Sequence, residues 1–83
     1  DLIIIDENGD IELYDYKTDL LTREELGDFN AASARLNADH GLQLSYYAHA
    51  IEAMFERKCK RVCIYSTHSA RLYDIDRVPL KLN

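Results

Sequence analysis

The run Ile11-Glu12-Leu13-Tyr14-Asp15-Tyr16-Lys17 constrains this chain more than any other segment. It alternates apolar and polar residues, and side chains along a strand alternate faces with period two. Ile11, Leu13, Asp15 and Lys17 therefore share one face, and Glu12, Tyr14 and Tyr16 share the other. The first face begins apolar and ends charged, as expected of a strand that runs from a core into a cleft. Asp15 and Lys17 stand on the same side, about 6 to 7 Å apart at a rise of about 3.3 Å per residue. The run is preceded by Asp1-Leu2-Ile3-Ile4-Ile5 and by Asn8-Gly9. The apolar stretch reads as a buried strand over residues 1–6. Asn-Gly reads as a type I′ hairpin turn. A hairpin brings neighbouring strands to about 4.8 Å, so an acid near the start of the first strand can lie beside Asp15 and Lys17. Two carboxylates and one ammonium on adjacent strands suit a divalent metal and a phosphate.

The remainder of the chain supplies a cover for this hairpin. Thr22-Arg23-Glu24-Glu25 is a capping box that starts a short helix. Gly27 and the small residues from Asn30 to Ala34 leave open whether that helix reaches about Leu36 or gives way to a loop. From about Asp39 or Leu42 to Lys58, spacings of three and four place Leu44, Tyr47, Ile51, Met54 and Phe55 on one apolar stripe. The cluster Arg57-Lys58-Cys59-Lys60-Arg61 closes that helix, its charge complementing the negative end of the macrodipole. Strands follow at Val62–Tyr65 and Arg71–Ile75 around a turn at Ser66–Ser69, and the tail from Asp76, which contains Pro79, reads as loose. The order β-β-α-α-β-β predicts an α/β sandwich around a small mixed sheet.

Composition sets the outer limits. Eighty-three residues make at most one domain with a thin core. No apolar run approaches the roughly 18 residues of a membrane span. The chain opens on Asp1 with no initiator Met and no signal pattern, so it reads as a piece of a longer protein. A net charge of −5 argues against a free-standing DNA-binding module. It leaves room for a nuclease whose DNA is delivered by another part of the polypeptide. Cys59 and Cys63 form no disulfide framework and cannot complete a tetrahedral metal site alone, so both read as buried reduced thiols.

An acid-x-Lys triplet is a weak signal alone. Glu56-Arg57-Lys58 is another, at a helix end where its side chains diverge. Asp15-Tyr16-Lys17 has a strand context and the upstream acid Asp1; its competing reading is a solvated ion pair worth under about 1 kcal/mol. Gln43 and Tyr47 lie one helical turn apart and can reach a phosphate or an attacking water, although Tyr47 also fits the apolar stripe. The Arg57–Arg61 cluster is explained by the helix end, and His40 and His68 read as surface residues.

Taken together, Asp15-Tyr16-Lys17-Thr18-Asp19, the Asp-headed strand before it and Gln43-Leu44-Ser45-Tyr46-Tyr47-Ala48 after it resemble the PD-(D/E)XK nuclease domain of the RecB/AddA helicase–nuclease type. The resemblance runs from Asp1 to about Tyr65. It implies a restriction-endonuclease-like mixed sheet with a covering helix, lacking its N-terminal elements, with residues 1–83 as a single partial domain from the C-terminal part of a longer protein. It implies metal-ligating roles for Asp1, Asp15 and the backbone carbonyl of Tyr16, with Mg²⁺ as the ion and Mn²⁺ as its substitute. Lys17 would orient the attacking water or neutralise charge in the transition state, and Gln43 and Tyr47 would support the site from the helix. The implied function is metal-dependent DNA exonuclease chemistry in a bacterial, cytoplasmic helicase–nuclease of double-strand break repair and recombination. Its partners would be DNA, the helicase domain of the same polypeptide and a partner subunit. The alternative is an inactive nuclease-like fold that binds protein or DNA, and the chain's acidity fits docking to a protein. Surface left apolar by absent N-terminal elements would favour self-association.

Overall fold

The computed structural model describes residues 2–80. Four strands form one mixed sheet in the order β1-β2-β3-β4, with β1 at Leu2–Ile5, β2 at Ile11–Lys17, β3 at Cys59–Ser66 and β4 at Arg71–Asp74. The central pair β2–β3 is parallel, and both flanking pairs are antiparallel. Between β2 and β3 the chain forms the short helix α1, Arg23–Gly27, and the long helix α2, Phe29–Phe55. A parallel pair needs a crossover of this kind. The expected α/β class, mixed sheet and covering helix are all present.

The hairpin has a different turn from the expected one. Only Gly9, at φ 85°, takes a positive φ in this loop. A type I′ turn needs two such residues. Instead the Gly9 N–H donates to the Asp6 carbonyl at 2.9 Å, and the Asp6 N–H donates to the Asp10 carbonyl at 2.9 Å. That is a three-residue loop closed by a left-handed glycine. The Asp6 carboxylate accepts from the Asn8 and Asp10 N–H groups at 2.9 and 3.0 Å and makes the alternative turn favourable.

β1 is an edge strand, not a buried one. Only Ile3 packs against the core, while Leu2, Ile4 and Ile5 are exposed. An apolar run lacks the alternation that would separate an edge strand from a buried one, and here Leu2 and Ile4 belong to a sheet face that no described element covers.

The helical region also departs from expectation. α1 has the capping box read at Thr22, but ends at Gly27. Asp28 then closes α1 and caps α2, accepting from the Asn30 and Ala31 N–H groups at 3.0 and 3.2 Å. The small residues 30–34 belong to a single helix of 27 residues. Its buried positions are Ala32, Leu36, Gly41, Leu44, Ser45, Ala48 and Ile51. Tyr47, Met54 and Phe55, placed on the apolar stripe from spacing, are exposed. Alanine, glycine and serine on the packed face bring the helix backbone close to the sheet, and the bulky residues turn outward. The helix stops at Glu56, which is left-handed at φ 55°, and no basic residue lies in its last turn. Cys59, Lys60 and Arg61 already belong to β3, so the basic cluster is divided between a loop and a strand.

The core lies between α2 and the sheet face carrying Ile11, Leu13, Val62, Ile64 and Tyr73, with Leu21, Cys59 and Ile75 closing its margins. Phe29 stacks on Tyr73 with ring centroids 4.8 Å apart. The tail is held rather than loose as far as Val78. Asn37 accepts from the Asp76 N–H at 2.8 Å, and Ser45 accepts from the Val78 N–H at 2.8 Å. Arg77 makes two hydrogen bonds to Glu52 at 2.9 and 3.0 Å.

Candidate functional site at the carboxyl ends of β2 and β3

β2 carries the candidate chemistry on the face assigned from its alternation. Ile11, Leu13 and Asp15 are buried on the helix side, and Tyr16 points to the opposite side, 57% exposed. Asp15 is 7% exposed, and its carboxylate lies 3.1 Å from the Lys17 ammonium. A carboxylate this buried needs a partner, and Lys17 supplies it. The pair stands where β2 and β3 end side by side, in register through Asp15–Ile64 and Lys17–Ser66. In open α/β sheets the carboxyl ends of parallel strands are the usual place for a ligand.

Backbone direction turns the other candidate donor, the Tyr16 carbonyl, away from β3. The Lys17 carbonyl accepts from the Thr67 N–H at 3.0 Å, toward the β3 side. Alternation along the strand turns the Tyr16 carbonyl the other way, toward β1, whose described end at Leu2 pairs with Tyr14. Asp1, the other proposed ligand, lies outside the described residues. Among the described residues no group of three His, Cys, Asp or Glu side chains converges as a metal site. Gln43 and Tyr47 are exposed on α2, and among the described residues no hydrogen bond joins either to Asp15 or Lys17.

The loop after Lys17 is anchored by residues that the sequence did not mark. His40 of α2 lies 2.8 Å from the Asp19 carboxylate and holds its pKa below the usual value. The Leu21 N–H donates to His68 Nδ1 at 2.8 Å. Arg35 donates to the Leu20 carbonyl and to Glu25 at 2.8 and 2.9 Å. His40, which is part-buried rather than on the surface, and His68, exposed as read, thus fix the strand-to-helix loop beside the candidate site. Their partners are 21 and 47 residues away in sequence, and no spacing rule connects them.

The opposite end of the sheet is paired differently. Lys60 bridges Asp6 and Glu12, and Arg61 bonds Asp74 at 2.9 Å while lying over the Tyr14 ring at 5.9 Å. Cys63, under this network, donates to Asp74 at 3.1 Å. Burial first, and that hydrogen bond second, push its thiol pKa up to about 12. Cys59 and Cys63 are both buried and free, in agreement with their reading as reduced structural thiols.

The molecule is an α/β domain in which a buried carboxylate paired with lysine sits at a sheet end suited to a ligand. Over 62 residues, or 75% of the chain, its sequence is 36% identical to an ATP-dependent helicase/nuclease subunit of Bacillus cereus (strain ATCC 10987 / NRS 248). The same identity and coverage hold for the proteins of the same name from Bacillus cytotoxicus and from Bacillus anthracis. The chain spans about 5% of the length of these relatives. No family model matches it, and no solved structure matches it significantly. The likeness supports a RecB/AddA-related region. No described helix is long and apolar enough to cross a membrane.

Proposed function

We propose that this chain is part of the metal-dependent DNA exonuclease site of a helicase–nuclease acting in double-strand break repair and recombination. The observation that carries the reading is the buried Asp15 paired with Lys17 at the carboxyl end of a central strand. The 36% identity to helicase/nuclease proteins of Bacillus supports it.

The proposed ligands of a magnesium ion are Asp1, Asp15 and the Tyr16 carbonyl. Asp15 and the Tyr16 carbonyl are hard oxygen donors, which fit Mg²⁺ or Mn²⁺. When bound, such an ion polarises a phosphate and lowers the pKa of a water. Lys17 balances the Asp15 charge in the resting site and offers a cation to the phosphoryl oxygens of a bound strand. Gln43 and Tyr47 are proposed to meet the DNA from the exposed side of α2. In this reading DNA reaches the site through the helicase domain of the same polypeptide, with a partner subunit, in the bacterial cytoplasm.

A second reading is a nuclease-like fold that binds protein or DNA without cutting. The net charge of −5 favours it, since an acidic surface suits docking to a basic protein better than it suits a phosphate backbone. Calorimetric titration of Mn²⁺ into the chain and into Asp15→Asn, paired with release of nucleotides from linear DNA, separates the two. The nuclease reading expects saturable Mn²⁺ binding that the substitution removes, and cleavage reduced about 100-fold or more. Binding or cleavage that survives the substitution removes Asp15 from the site and with it this reading.

A further inference from the structure

We infer that the His40–Asp19 pair is a positioning contact of the proposed nuclease site, holding the Gln43–Tyr47 face of α2 to the end of β2 that carries Asp15 and Lys17. This rests on the nuclease reading and names what joins the two halves of its site. The halves come from different elements. Asp15 and Lys17 stand at the end of β2, and Gln43 and Tyr47 stand on α2, beyond a loop and a short helix. With no described hydrogen bond running directly between them, their spacing is set by what ties the loop to the helix. Asp19 follows Lys17 by two residues. His40 precedes Gln43 by three residues and Tyr47 by seven, and residues at those spacings share one helix face. One contact therefore adjoins both halves.

Its geometry suits the task. His40 Nε2 lies 2.8 Å from the Asp19 carboxylate, with the two side chains 17% and 26% exposed. An ionised carboxylate only accepts, so Nε2 carries the hydrogen. The His40 hydrogen bond outweighs burial and holds the Asp19 carboxyl below its usual range. The β3–β4 turn fixes both ends of the same stretch of loop. The Thr67 N–H donates to the Lys17 carbonyl at 3.0 Å, the Leu21 N–H donates to His68 Nδ1 at 2.8 Å, and Leu21 is buried. A strap tied at Lys17 and at Leu21 has little slack, so a shift at Asp19 is felt at Lys17. The seating of α2 on the sheet is already provided by Leu36, Leu44, Ala48 and Ile51. The pair adds a directional, charge-assisted hydrogen bond where residues of two elements must act together.

The test is nucleotide release from linear DNA at saturating Mn²⁺, giving kcat and KM for the unsubstituted chain, Asp15→Asn, His40→Ala, Asp19→Ala, the double alanine variant and His40→Gln. His40→Ala and Asp19→Ala should each lower kcat about 10- to 100-fold, the scale of a misplacement of about 1 Å, and leave KM in place. The double variant should lose no more than either single one, because both remove the same contact. His40→Gln should recover most of the rate, because its amide N–H can reach the carboxylate as the imidazole does. Melting curves of every variant, with assays run well below the lowest transition, keep lost folding apart from lost positioning. Full rate in His40→Ala, a loss confined to KM, losses that multiply in the double variant, or no recovery in His40→Gln overturns the inference. The nuclease reading then still stands if Asp15→Asn is inactive. Cutting that Asp15→Asn leaves unchanged, or no cutting by the unsubstituted chain, overturns the nuclease reading and the positioning role with it.

Discussion

Asp15 is an acid on a core-facing position, and Lys17 makes that tolerable. The alternation of β2 was sufficient to place both on one face with Ile11 and Leu13. It was not sufficient to tell a solvated ion pair from a buried one, because burial depends on what the crossover lays over the strand end. The Asp15 side chain is 10% exposed and that of Lys17 26%, so removing the ammonium strands a carboxylate in a dry place. Lys17→Met should destabilise the fold by about 1–3 kcal/mol, less than the 3–5 of a fully buried pair. Adding Asp15→Asn should recover part of that loss, because the amide carries no charge to strand. Denaturant midpoints of the two single variants and the double variant check the coupling. A Lys17→Met midpoint equal to the unsubstituted one would reduce the pair to a surface contact. His40 and His68 show what pattern reading misses at this scale: each meets a partner brought close only by the fold.

Elements were legible wherever a local rule governed them. The Thr22 capping box, the β2 alternation and the strand after Arg71 each follow from a few neighbouring residues. The long helix was not, for a reason seated in its own composition. Its packed face is made of Ala32, Gly41, Ser45 and Ala48 between Leu36, Leu44 and Ile51. Small residues carry little hydrophobic signal, and His40-Gly41 looks like a boundary. The packing of α2 on the sheet overrides the propensity of one glycine, which costs about 1 kcal/mol relative to alanine. A methyl group at Gly41 would find the Asp76 carbonyl at 3.9 Å, an ordinary contact. Gly41→Ala should therefore stabilise the protein by up to about 1 kcal/mol and raise the melting temperature by about 4–8 °C. Thermal unfolding followed by circular dichroism measures this. A lower melting temperature would mean that helix and tail cannot accept even that contact.

At the scale of the whole molecule, a thin core is supplemented by polar ties between segments distant in sequence. The element order was legible, and so was the mixed sheet. The attachment of the tail was not, because it runs through single residues such as Asn37, Ser45 and Glu52 with no periodic signal. Glu52 ties together three segments. Its carboxylate accepts from the Cys59 N–H at 2.8 Å and binds Arg77 through two hydrogen bonds, so helix, strand and tail meet on one group. The Arg77 hydrogen bond first, and that of the Cys59 N–H after it, outweigh burial and hold the Glu52 pKa below its usual 4.5. A carboxylate depressed in the folded state binds fewer protons there than in the unfolded chain. Its contribution is therefore complete above pH 4.5 and is lost as pH falls through the folded value. Asp19 and Asp74 are depressed in the same direction by His40 and Arg61, with the usual value at 3.8. Stability should thus be nearly level at neutral pH with respect to these groups and fall steeply below about pH 4. Glu52→Gln should lower stability at pH 7 and flatten the acid limb, and the two proteins should converge once Glu52 is protonated in the folded state. Urea unfolding across pH 2 to 7 gives both slopes. Parallel curves, separated by a constant at every pH, would show that Glu52 acts through packing and that its charge contributes nothing to holding the tail.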